Sequence, residues 1–69
     1  MTRDEAEKEV VRRFHQLPLH VRQDFGRADA LADELAEDIV FESALGHRRM
    51  IAAWLILEIA RTREASAAA

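Results

Sequence analysis

The sequence predicts an all-α fold: a compact bundle of three main helices with one short helix or turn between the first two. Apolar residues recur at helical spacing, and no segment sustains the period-two alternation of a strand. Residues suited to starting and stopping helices punctuate the chain at helix-length intervals. Two glycines and one proline in 69 residues allow few turns.

The first helix is predicted over residues 2–16. Thr2 and Glu5 have the spacing of a capping box, and Asp4, Glu5 and Glu7 lie where the helix dipole favours carboxylates. Ala6, Val10, Phe14 and Leu17 then mark one face. Pro18 ends it, because the residue before a proline avoids the α region. Pro18 also suits the start of a short helix or turn near residues 19–25, with Leu19, Val21 and Phe25 as its apolar contacts and Gly26 as its stop.

Residues 28–45 form the predicted third segment, with Ala28, Leu31, Ala32, Leu35, Ala36 and Ile39 in one stripe and Gly46 as terminator. The last helix is predicted over residues 48–63. Arg61 and Arg63 lie near its negative dipole end, and residues 64–69 read as a frayed tail. The whole, residues 1–69, is one helical domain with no repeat or linker.

A chain this short buries only about 60% of its unfolded surface, so it gains from a disulfide, a metal or a second subunit. With no cysteine, disulfides and zinc–thiolate sites are ruled out, and association is the remaining device. The charged N-terminal residues lack the apolar core of a signal peptide. The longest apolar run, residues 50–57, is far short of the ~20 residues a membrane span needs. These features predict a cytoplasmic protein that neither enters nor crosses a membrane.

Net charge is −3, but it is unevenly spread. Asp29, Asp33, Glu34, Glu37, Asp38 and Glu42 fall between Ala28 and Gly46 with no Lys or Arg among them, leaving ten basic and seven acidic residues elsewhere. The simpler reading is the solvated face of an amphipathic helix. The sharper one is an acidic surface along Asp33, Glu34, Glu37, Asp38 and Phe41, which would orient a basic partner or the chain's own basic helices in a second copy.

On a continuous helix Val40 and Phe41 point to the acidic side. Three explanations rank in order: the helix ends or kinks near Val40 and returns both to the core, the short segment covers them, or they anchor a binding site.

The last helix carries apolar residues almost all round: Met50, Ile51, Trp54, Leu55, Ile56, Leu57 and Ile59. A helix of that kind needs cover on all sides, and a three-helix bundle leaves one sector bare. A polar strip of His47, Glu58, Arg61 and Thr62 runs beside Ile51 and Trp54. The sequence therefore predicts an interface seam at Met50, Ile51 and Trp54, with His47, Glu58 and Arg61 on its rim. Leu55, Ile56, Leu57 and Ile59, with Ala52, Ala53 and Ala60, are predicted to face the intramolecular core.

The residues offer little for catalysis. None of His15, His20 and His47 has a carboxylate three positions before it, and no two are four apart. His15 and His20 straddle Pro18, but two imidazoles make an incomplete metal site. Ser43, Ser66, Thr2 and Thr62 have no base nearby in sequence, and Gly26 and Gly46 form no phosphate loop. Asp38 and Glu42 are an ordinary pair for an acidic helix. No catalytic residue, cofactor or metal is predicted.

A helix-turn-helix reading of residues 28–45 and 48–63, with Arg48 and Arg49 opening the second helix, is the alternative. Against it, the would-be recognition helix has no polar face to read bases, and its supporting helix would be repelled by phosphates. Arg3, Lys8, Arg12, Arg13, Arg22 and Arg27 keep a phosphate-binding patch as the minority view. The expectation is a non-enzymatic protein-interaction module: a dimerising regulator, adaptor or inhibitor whose partner is a protein, possibly basic, or itself as a homodimer.

Overall fold

The computed structural model describes residues 1–68, and among them it is all-α with no strand. Helix α1 spans Arg3–His15, α2 is a single turn over Leu19–Arg22, α3 spans Ala28–Asp38 and α4 spans His47–Ala68. A 3₁₀ turn over Phe25–Arg27 leads into α3.

The capping box forms at the start of α1. Thr2 Oγ1 accepts from the Glu5 amide at 3.2 Å, and Glu5 Oε1 accepts from the Thr2 amide at 3.0 Å. Ala6, Val10 and Phe14, four residues apart, are fully buried. The chain then turns at Pro18, where the Arg22 guanidinium donates to the Leu17 carbonyl at 2.9 Å. The segment predicted near 19–25 is two pieces, because the Asp24 carboxylate accepts from the Gly26 amide at 2.9 Å and starts a separate turn.

Helix α3 ends at Asp38, seven residues before the predicted end. Its last turn has no basic residue, so Glu37 and Asp38 meet the negative end of the dipole with no cation from the helix itself. The β-branched pair Ile39–Val40 then favours extended backbone, and Ile39 adopts φ −104°, ψ 97°. In this stretch Ile39 and Phe41 turn inward while Val40 stays exposed. The leading explanation for Val40 and Phe41 thus holds for Phe41 and is corrected for Val40.

Gly46 does not terminate α3. It opens α4 at φ +86°, in the region that favours glycine, and its carbonyl accepts from the Met50 amide at 3.3 Å.

Helix α4 starts one residue earlier than predicted and continues through residues 64–68, which were read as frayed; Ala69 lies outside the described residues. The alanines favour helix. The α2 region supplies the hold: Gln23 Nε2 donates to Ser66 Oγ at 2.7 Å, and the Arg63 guanidinium donates to the Gln23 carbonyl at 3.0 Å. At 22 residues α4 is about 33 Å long, against a longest molecular dimension of 37 Å. Helices α1, α2 and α3 all pack on it, so its buried side organises the core.

Candidate interaction surface

The core that α4 organises contains most of the predicted seam. Ile51 is fully buried and Trp54 is 7% exposed, packed with Leu55, Ile59, Phe14, Ile39 and Phe41. Phe41 stacks on Trp54 with ring centroids 5.3 Å apart and an interplanar angle of 19°. Met50 is half-buried against the same cluster. The chain therefore encloses Ile51 and Trp54 with its own residues, and they are core side chains rather than an uncovered seam.

The predicted rim is also turned inward. Glu58 has a side chain 12% exposed, 2.8 Å from the Arg61 guanidinium and 3.9 Å from His15 Nε2 on α1. The Thr62 hydroxyl donates to the Glu58 carbonyl at 2.8 Å. His47 lies 3.1 Å from the Ala36 carbonyl through Nε2; a carbonyl only accepts, so that nitrogen carries the proton. Arg61 alone is exposed at the surface.

The acidic residues of α3 divide. The Arg48 guanidinium pairs with Asp33 and lies 3.9 Å from Asp29, tying the start of α4 to α3. Asp38 pairs with Arg13 on α1 at 3.2 Å. Arg13 also pairs with Glu9 at 3.0 Å, and Arg12 does so more closely still. These two guanidiniums hold the Glu9 carboxyl down to about 2, Arg12 having the larger effect. Glu34 and Glu37 make no ion pair among the described residues. Phe41 is buried and forms no part of an acidic surface, so that surface reduces to Glu34 and Glu37 beside carboxylates already matched internally. Arg48, which opens the second helix of the alternative helix-turn-helix reading, is one of the matched cations.

A shallow depression of about 590 Å³ is bounded by Phe41, Glu42, Ser43, Ala44, Gly46 and His47. Ser43 Oγ accepts from the Leu45 amide, and among the described residues no hydrogen bond joins it to His47, so no nucleophile–base pair is assembled. No group of three or more metal-ligating side chains occurs among the described residues. No helix among them is long and apolar enough to cross a membrane.

What α4 leaves bare is the sector opposite the buried Ile51. Ile56 is 47% and Leu57 54% exposed, halfway along the helix. Arg49, Ala53 and Glu64 are exposed on the same face, and Ala60 is half-exposed. The prediction that Ile56, Leu57 and Ala53 face the core is therefore corrected, while Leu55 and Ile59 do face it. With apolar residues distributed around almost the whole of α4, the helix's own pattern does not orient it. The usable signal was polar: Arg49 and Glu64 sit two turns either side of Ile56 and Leu57, on their face of the wheel.

Compared with protein-family models, curated proteins and solved structures, the chain matches none. Fold and surface together define it as a small helical bundle built around one long helix with a bare apolar strip.

Proposed function

We propose that this chain is a non-enzymatic protein-interaction module of the cytoplasm, a small regulatory or adaptor protein that binds protein through the outer face of α4. One observation carries the reading: two adjacent large aliphatic side chains, Ile56 and Leu57, stand about half-exposed at the centre of the longest helix. Apolar side chains scattered singly over a surface need no explanation. Here Ala53 and Ala60 extend the pair into a continuous strip with little side-chain bulk, and such a strip admits another backbone closely. The charges at its ends, Arg49 and Glu64, supply the polar rim that binding surfaces carry.

The test is a photo-crosslinking residue at position 57, activated in living cells, with the same residue at Glu34 on α3 as control. Protein adducts should form from position 57 and weaken when Ile56→Ser is added. Equal yields from 57 and 34 would remove the basis of the proposal.

A further inference from the structure

Given that reading of the α4 face, we propose that its occupant is a second copy of this chain, docked with the two α4 helices antiparallel about a two-fold axis that passes between Ile56 and Leu57. The strip is nearly palindromic about that point. Ala53 and Ala60 lie three and a half residues to either side, close to one helical turn, and Arg49 and Glu64 lie seven and a half, close to two. A two-fold axis there sets Ile56 of one copy beside Leu57 of the other, Ala53 opposite Ala60, and Arg49 opposite Glu64. Each heterologous match is made twice, as an isologous interface requires.

Burial and pairing support the same register. Ile56 and Leu57 at the axis are the exposed large apolar residues among the described part of α4, and the alanines one turn away let the helices approach to about 8 Å. Arg48 and Arg63, near the ends of the strip, are engaged within the subunit by Asp33 and by the Gln23 carbonyl. Arg49 and Glu64 make no ion pair among the described residues. The two strip charges without an ion pair among the described residues are thus those that antiparallel docking brings together.

The strip from Arg49 to Glu64 is about 22 Å long and about 12 Å wide, so two copies bury well under ~1,000 Å². That size belongs to weak, reversible dimers.

The chain has no cysteine, so introduced thiols report the register directly. Ala53→Cys and Ala60→Cys variants, mixed and oxidised, should give a covalent heterodimer several times faster than either variant alone. Arg49→Glu and Glu64→Arg should each weaken self-association about tenfold in sedimentation equilibrium at 10 µM to 1 mM, and the two mixed should associate like wild type. Every substituted position is exposed or half-exposed, and far-UV circular dichroism checks that each variant keeps its helices. A wild-type chain that stays monomeric to 1 mM, or crosslinking no faster in the mixture than in its components, overturns the proposal. If either result came with protein adducts at position 57 in cells, the dimer alone would be lost and the binding surface would stand.

Discussion

Replacing Trp54 by alanine tests whether the ring belongs to the core of one subunit. Trp54 is 7% exposed, stacked on Phe41, and in the same cluster as Ile51 and Leu55. Truncating a tryptophan so enclosed costs about 3–5 kcal/mol in lost burial and residual cavity. That range already includes the stack, itself worth about 0.5–1.5 kcal/mol beyond area. A chain of 69 residues has roughly 3–10 kcal/mol in all, at about 0.05–0.15 kcal/mol per residue. Trp54→Ala should therefore remove about a third of the stability or more. With a urea dependence of ~1 kcal/mol/M the midpoint falls by about 3–5 M. Trp54→Phe, which keeps a ring face for Phe41, should fall between. The assay is urea unfolding followed at 222 nm, with all chains dilute enough to be monomeric so that association cannot alter the comparison. A Trp54→Ala chain with the wild-type midpoint and helicity but reduced association would refute the reasoning and return Trp54 to an interface.

Gly46→Ala isolates a backbone cost, because a Cβ there meets nothing within 4 Å while φ is +86°. The expected loss is about 1 kcal/mol in urea unfolding. Stability should also decline in acid. The Glu9 carboxyl is held down to about 2 by Arg12 and Arg13, and hydrogen bonding with Thr2 lowers that of Glu5. A carboxylate depressed in the folded chain adds stability that is full above its unfolded value near 4.5 and is lost as pH falls toward the folded value. Thermal midpoints measured from pH 5 to pH 2 should fall, and more gently in Glu9→Gln.

Local chemistry was legible in the sequence wherever neighbouring residues decide the outcome. The capping box of Thr2 and Glu5, the Ala6–Val10–Phe14 face and the turn at Pro18 involve contacts within a few positions. The end of α3 was misplaced because Ala36 to Leu45 contains no glycine or proline to mark it. Its signals were weaker: acidic residues at the wrong dipole end and a β-branched pair. The orientation of α4 was illegible for a different reason. A helix apolar on nearly every side is turned by what packs on it, and Phe41 reaches Trp54 only because α3 stops early. Misjudging one helix end thus rotated the face assigned to another, although Leu55 and Ile59 stayed in the core. The tail was misread because its holds, Gln23 to Ser66 and Arg63, cross about 40 positions.

The stack of Phe41 on Trp54 gives the molecule an optical probe of its own. Trp54 is the single tryptophan, and the ring against it belongs to the segment joining α3 to α4. Its emission therefore senses the lifting of that segment as well as global melting. A fluorescence change that precedes the loss of helix signal would reveal a partly open form, with the 39–46 connection detached from a helical frame still intact.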